Sequence, residues 1–569
     1  MHFPAQAPRK SLYYQYQVYP HFHSQTDIVT DEQTVTVVGA GPIGMTTALL
    51  LAKQGVKVIL LSAELQLSEG SRALVYTKRS MEILQAAGAA ERIMSKALPW
   101  THGNSIYKGQ VAFRMASPTN EHDQFAPLNN LQQNWLEHFL LETIQEQDNI
   151  EVRWGNKVVD HVQAQDQVTL SIETPEGTYQ HTSKWVVAAD GGRSPIRESM
   201  KLWMEGASYE GRFVIADIRI QLDYPTERLA FFSPDWNPGN TILMHREPDN
   251  IWRFDYQLDP SIRPEDALKP ENLHKAVNDQ LKMIGQDHLE WEMDWSTVYS
   301  ARALTLDNYV HNRIIFVGDA AHLLPIFGVR GANTGFQDAQ DLAWKLAAAV
   351  KGWAPEKILQ SYTFDRVGAA REIIAEAGKS TRFMAPPTDG FRLLRNAVLS
   401  LSLEHEFVRP LYHWRTSRPH AYTHSPLNSV CDDNAQMNEL TENGALIPNI
   451  KFTENSFLYD AISGKFTVLV FTENAQLPIG LAQEVLGLKQ QDIPVQIVAL
   501  AIDGKMVADA DVSFSIAPEI ATERFFASVG TVYLVRPGHH INGRWLSYRE
   551  NALTQTFKQF TDVVEGAAA

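Results

Sequence analysis

The chain has 569 residues, which at about 150 residues per domain leads us to expect three to four domains. Hydrophobic residues make up 44% and charged residues 20%, so large cores can form and wholesale disorder is excluded. The net charge of −16 argues against sequence-independent binding to nucleic acid or an anionic membrane, and the lone cysteine, Cys431, rules out an intrachain disulfide, a CxxC pair and cysteine-rich metal sites, which fits a reducing cytoplasm.

Residues 1–33 are polar and aromatic, with Tyr13, Tyr14, Tyr16 and Tyr19, and they lack the order of a secretion signal. They are read as an extension that packs on the surface or is mobile. No run of 18 uncharged apolar residues occurs, so no membrane span is expected. At Thr34 the sequence TVTVVGAGPIGMTTALLLAKQGVKVILLSAE reads as a buried strand, a glycine turn, a helix and a second strand. Gly39, Gly41 and Gly44 form GxGxxG inside that βαβ unit. Such glycines serve a tight turn, close backbone approach to a pyrophosphate and close helix packing, so a dinucleotide is expected there. The acid that normally ends the second strand is displaced. Ser62 stands in its place and Glu64 follows two residues later, so either Glu64 reaches back to the ribose or Ser62 makes the contact.

From about Ile150 to Val187 short alternating runs return strands to the same sheet. They end in VVAADGGRSPIRE, with Asp190, Gly191, Arg193, Ser194 and Arg197. Residues 206–300 carry aromatic, strand-like runs such as GRFVIADIRIQL, NTILMHRE and NIWRFDYQL, and read as an inserted antiparallel sheet. Next comes IIFVGDAAHLLPIFGVRGANTGFQDAQDLAWKL, a buried strand, a loop and a helix, with Gly318, Asp319, His322, Pro325, Gly328, Gly331, Ala332, Asn333 and Gly335. A mainly helical stretch and a polar linker lead to a final αβ module of about 120 residues. AGKS at Ala377–Ser380 imitates the end of a phosphate loop, but Ile373 occupies the position of its first glycine.

Together, the GxGxxG, DGGRSPIR and GDAAHLLP motifs resemble the three signatures of the class A, single-component FAD-dependent aromatic hydroxylases. The similarity is greatest to the branch with 3-(3-hydroxyphenyl)propionate hydroxylase and phenol hydroxylase. The fold implied is α/β: a Rossmann-like FAD-binding domain in two parts, 34–205 (with a minor insertion) and 301–385, with an inserted antiparallel-sheet substrate domain, 206–300. Residues 386–443 form a helical segment and linker, and 444–569 a thioredoxin-like C-terminal domain. Because that domain contains no cysteine, redox chemistry is excluded there and a packing or oligomerisation role is left, a homodimer among the options.

The resemblance assigns residues as well. Arg72 in EGSRAL matches the arginine that contacts the cofactor, and Gln133 the glutamine near the FAD phosphates or ribityl chain. Asp190 and Arg193 match the motif serving both FAD and NAD(P)H, and no second GxGxxG exists for a nicotinamide domain. Asp319, followed by two alanines, can accept hydrogen bonds from ribitol hydroxyls without a bulky neighbour. Gly318, Gly331, Ala332 and Asn333 join the cofactor site, since backbone N–H groups between Pro325 and Gly335 can face the N1 and C2 oxygen edge of a reduced flavin. Asp341 replaces an asparagine common in the family's helix.

The activity implied is hydroxylation of an electron-rich aromatic, of phenol or phenolic-acid type, with NAD(P)H and O2 through a C4a-hydroperoxyflavin. Pro325, Arg253 and Tyr256 are the candidate catalytic residues, and His245 and Arg246 further candidates for holding a phenol or carboxylate; strand alternation leaves their facing open. Two alternatives stand beside this: flavin-dependent oxidation or epoxidation without ring hydroxylation, and a non-catalytic flavin-binding scaffold.

Overall fold

The computed structural model describes residues 1–24, 28–325, 327–412, 419–429 and 439–562; Cys431 lies outside them. The strand Ile28–Val38 sits inside a parallel sheet ordered Ile314–Phe316, Gly177–Ala188, Ile28–Val38, Lys57–Leu61, Ile150–Arg153. Val35, Val37, Leu60, Val187 and Ile315 are fully buried, as are Thr36 and Val186 on the opposite faces. A sheet covered on both sides explains why these strands read as continuous apolar runs. The helix Pro42–Lys53 carries proline in its first turn, where the missing N–H has no partner to lose, and it packs on the long helix Gly331–Lys351.

A second sheet stands against this domain. Its strands Glu292–Thr305, Glu205–Arg219, Ile251–Leu258, Thr241–Arg246 and Arg228–Phe232 follow one another in space, all antiparallel. Beyond residues 206–300 it recruits the hairpin of His102–Tyr107 and Gln110–Ala116, parallel to Arg228–Phe232 at the join, and the short strand His322–Leu323 at the other edge. The two faces differ in kind. On the outer face Val214, Ile242, Met244, Trp252, Phe254 and Tyr256 pack with Leu273, Val277 and Leu281 of the helix Pro270–Met283. The inner face carries Phe213, Leu243, Ala230 and Phe232, which cluster with Phe327, Phe383 and Met384. Between these apolar groups lies a polar stripe that includes Asp217, His245, Arg253 and Asp255.

Residues 1–24 pack along the domain. Gln66 Nε2 donates to the carbonyls of Ala5 and Ala7, Arg9 pairs with Glu64, Tyr16 donates to Ser68 O, and Phe22 N donates to Trp154 O. Ser11 and Leu12 donate to Asp294 in the second sheet, so the extension ties the two sheets together.

The C-terminal module is a five-stranded sheet ordered Val512–Ser515, Val495–Ala501, Phe466–Thr472, Val532–Val535, Ile541–Trp545, the first three parallel and the rest antiparallel. Its Phe466 meets Trp344 of the long helix edge to face at 5.3 Å. A buried polar chain also joins the two. Tyr422, just ahead of the module, stacks on His540 at 4.2 Å and accepts a hydrogen bond from Arg366, whose Nε donates to Asp338 at 2.7 Å. The other oxygen of Asp338 accepts from Gly318 N at 3.0 Å and pairs with His322 at 2.6 Å. The module therefore reaches the GDAAH loop through side chains. Among the described residues no helix is long and apolar enough to cross a membrane.

Candidate cofactor and substrate site

The three glycines of the first turn do different work. Gly39 has φ +109°, and a Cβ there would lie 2.3 Å from Ala189 O. A Cβ on Gly44 would lie 1.9 Å from Gly39 O, so that position needs glycine for packing. Gly41 has extended backbone, and a Cβ there would meet no protein atom within 4 Å. The space in front of it is open, and no side chain caps the first-turn N–H groups of the helix it precedes. A helix N-terminus with free donors and an open approach fits a pyrophosphate.

At the end of the second strand both readings of the ribose contact meet competition. Ser62 is buried, and its hydroxyl exchanges hydrogen bonds with the backbone of Glu64 at 3.2 and 3.3 Å. The Glu64 carboxylate is paired with Arg9 at 3.1 Å. Arg72 is exposed on the neighbouring loop. Gln133 holds that loop: its Oε1 accepts from Ala73 N at 3.0 Å, and its Nε2 donates to Glu137, which accepts from Ser68 N at 2.8 Å. Gln133 thus positions Arg72 through the backbone.

The second and third motifs meet. Arg197 donates to Ala320 O at 3.0 Å and to Gly192 O at 2.7 Å, locking the DGGRSPIR turn to the GDAAH loop. Asp190 accepts from Ile196 N through one oxygen; the other is buried without a hydrogen-bond partner, and burial pushes the carboxyl up to about 6. Arg193 is exposed beside it. Asp319 is open to solvent yet closely surrounded by protein, as a carboxylate on the floor of a cleft would be. Burial raises its pKa, against the opposing pull of His322, Arg72 and Arg197. Arg72 and Arg197 thus reach this carboxylate from two separate segments of the chain.

In the following loop Pro325 is buried, Ile326 lies outside the described residues, and Phe327 meets Phe213 of the second sheet at 5.2 Å. The helix Gly331–Lys351 begins without a side-chain cap, and a Cβ on Gly331 would meet nothing within 4 Å. Gly331 and Ala332 therefore present an uncapped first turn. Asn333 follows as the third residue of the same turn, where the expectation concerns its backbone N–H; its side chain is held within the protein. Its oxygen accepts from Thr77 N and Ser80 Oγ, and its nitrogen donates to Val75 O and Val329 O, so all four hydrogen-bonding positions are used within the protein.

The substrate candidates need two corrections. Tyr256 lies on the outer face, 5.7 Å from the ring of Trp236, so it cannot touch a ligand between the sheet and the cleft. Arg246 shares that face and donates to Tyr224 O. Arg253 does lie on the inner face, but its guanidinium is held in a double hydrogen bond with Asp217 at 2.8 Å, lies 3.5 Å from Glu247 and donates to Ser71 O. It is a buried structural cation whose charge is already answered. Sequence reasoning passed over Asp217, Asp255 and Glu247. The alternation WRFDYQL held the signal, because Arg253, Asp255 and Gln257 share one face and Trp252, Phe254 and Tyr256 the other. Burial raises Asp217 and Glu247 above the usual carboxylate range, pushes Asp255 up to about 7, and with Arg228 and Arg253 nearby keeps His245 neutral.

This arrangement agrees with what the chain is similar to. A 3-(3-hydroxyphenyl)propionate/3-hydroxycinnamic acid hydroxylase of Comamonas testosteroni is 28% identical over 377 residues, covering 65% of this chain and 62% of that protein. One from Escherichia coli O139:H28 is 26% identical over 366 residues, 64% of each. The matched stretch thus spans less than two thirds of these relatives' own length. Among solved structures, the flavin-dependent monooxygenase PieE in complex with FAD and substrate superposes with a TM-score of 0.77 at 19% identity, over 93% of this chain and 99% of that one. Aklavinone-11 hydroxylase with FAD and aklavinone gives 0.74 at 23% identity, over 94% and 99%. Those likenesses show the fold over nearly the whole chain. The FAD-binding-domain family model matches residues 32–377, the stretch that holds the glycine turn, Asp190 and Asp319. The chain belongs to that family of FAD-binding proteins.

Proposed function

We propose that this protein is an FAD-dependent monooxygenase that hydroxylates an electron-rich aromatic, using NAD(P)H and O2. The observation that carries the reading is the abutment of two surfaces. The glycine turn, the Asp190 turn and the loop of Asp319 abut one another, and the loop beyond Asp319 brings Phe327 against the inner face of an aromatic-rich sheet. Hydroxylases of aromatic acids among the sequence relatives favour the same reading. FAD, when bound, supplies hydride acceptance and oxygen activation; the chain's own part is binding, orientation and exclusion of water. Gly41 and the helix behind it take the pyrophosphate, Asp319 the ribitol, and the uncapped turn at Gly331 and Ala332 the electron-rich edge of the flavin. The buried apolar groups Phe213, Leu243 and Phe327 form the dry wall on which an aromatic ring can lie. Arg193 is exposed beside the buried Asp190, where a nicotinamide cofactor can approach. The C-terminal sheet is read as thioredoxin-like in descent, with a role in packing or self-association.

The test is isotopic. Incubation with 18O-labelled O2, NAD(P)H and the ligand that most stimulates NAD(P)H oxidation is expected to give a product heavier by one labelled oxygen. A product formed without label would replace the monooxygenase reading with a dehydrogenase-like oxidation, and no stimulation by any aromatic would favour a scaffold. A second expected outcome concerns the cofactor alone. Asp319→Ala should weaken FAD binding by roughly 1.5–3 kcal/mol, the value of a hydrogen bond to a charged group, with the melting temperature of the apoprotein little changed. An unaltered FAD dissociation constant would remove Asp319 from the ribitol site.

A further inference from the structure

The inner face of the second sheet is bounded at two places. Phe327 covers the row that starts at Phe213, and the backbone of Ser71 covers the row of Asp217 and Arg253 through the hydrogen bond from Arg253. The row between them is Ile215, Asp255 and Leu243 in register. Asp255 therefore stands on the inner face between the row under Phe327 and the row under Ser71. It is 9% exposed, and its Oδ1 is buried with no hydrogen-bond partner. His245, one row away and 5% exposed, has a buried Nδ1 in the same condition, and Gln257, two residues along the strand, an unpartnered Oε1. A buried polar atom without a partner keeps the full penalty of leaving water, so three around one patch point to a polar ligand group that completes them.

The charge around the patch says which group. Asp217, Glu247 and Asp255 outnumber the two arginines of the patch, and Arg253 is already engaged. Arg228, next to His245, is not a free cation either. Desolvation, with Asp217 adding to it and Arg253 opposing, pushes Asp255 up to about 7. His245, held neutral, adds no positive charge. A second carboxylate brought here would meet an excess of acids and be repelled. A hydroxyl can donate to Asp255 and accept from its neighbours.

Resting on the monooxygenase reading, we propose that Asp255, with His245 and Gln257, forms the subsite that receives a hydroxyl group of the aromatic substrate, and that it selects neutral phenols over aryl carboxylates. The substrate class then differs from the acids in the names of the sequence relatives. Asp255 acts on specificity by touching the substrate hydroxyl.

The test uses the FAD-loaded full-length protein and a matched pair of probes, 3-propylphenol and 3-(3-hydroxyphenyl)propionate, which differ by a methyl for a carboxylate. Binding is read from the change in flavin absorbance, from pH 6 to 8. Wild type is expected to bind the propylphenol at least about tenfold more tightly. Asp255→Asn should weaken propylphenol binding about tenfold, narrow the preference and flatten its pH dependence, with FAD content unchanged. Equal or tighter binding of the propionate by wild type overturns the proposal, and so does a folded Asp255→Asn protein with unaltered propylphenol affinity. Should the variant fail to fold, the wild-type comparison decides alone. The 18O experiment is separate: label-free product rejects the monooxygenase reading, whereas labelled product from the propionate in preference to the phenol rejects only this subsite.

Discussion

Replacing Arg253 by alanine is expected to lower stability by about 3–5 kcal/mol, the usual loss when one member of a buried ion pair is removed. Arg253 is 3% exposed, Asp217 and Glu247 1% each, so neither acid has water to turn to when the guanidinium is gone. Both carboxyls already lie above their usual range through burial, with Arg253 as the main charge holding them down. Without it they must take up protons or open the sheet. The check is denaturant unfolding of Arg253→Ala beside Arg253→Ala/Asp217→Asn. The double variant should recover part of the loss because it removes the stranded charge. Were the single variant as stable as wild type, the pair would be an ornament, and Arg253 would be available again as a substrate ligand.

Gly41→Val is expected to yield a colourless, folded protein. The backbone at Gly41 is extended, with φ −81° and ψ 179°, which any residue adopts, and a Cβ there meets nothing within 4 Å. The isolated chain should tolerate valine. On the proposed reading the same open space receives the pyrophosphate, so the added isopropyl group excludes the cofactor and not a neighbouring side chain. Gel filtration should separate essentially all FAD from the variant, and its melting temperature should equal that of wild-type apoprotein. Full flavin absorbance after filtration would show that the pyrophosphate lies elsewhere. Gly44→Ala makes the contrast, since its Cβ would strike Gly39 O and distort the turn itself.

The parts of this site readable in the sequence are those fixed by local chemistry. Gly39, Gly41 and Gly44 announce a turn and a helix because their spacing encodes the backbone contacts directly. Asp319 is proposed for the cofactor because it follows a strand and is itself followed by small residues. Which side of a strand is inward is another matter. The alternation of WRFDYQL separates Asp255 from Tyr256, but only the helix Pro270–Met283, packed over Tyr256, shows which set is covered. The anchoring of the Asn333 side chain is hidden for a similar reason: its four partners come from residues 75–80 and 329, and no pattern near position 333 discloses them. The hairpin at 102–116 joins a strand more than a hundred residues away, a pairing that depends on the assembled domain.

The Asp338 junction bears on how this protein can be re-engineered. Its carboxylate holds the amide of Gly318, while Arg366 on its other oxygen leads through Tyr422 to His540. Exchanging the C-terminal module for that of a relative would leave Tyr422 facing a foreign surface, and the disturbance would be delivered to the loop that carries Asp319. Chimaeras cut at residue 443 should therefore lose cofactor affinity even when both halves fold, unless Asp338, Arg366, Tyr422 and His540 travel as a set. The crossover that respects the chemistry runs through these four side chains and not through the linker.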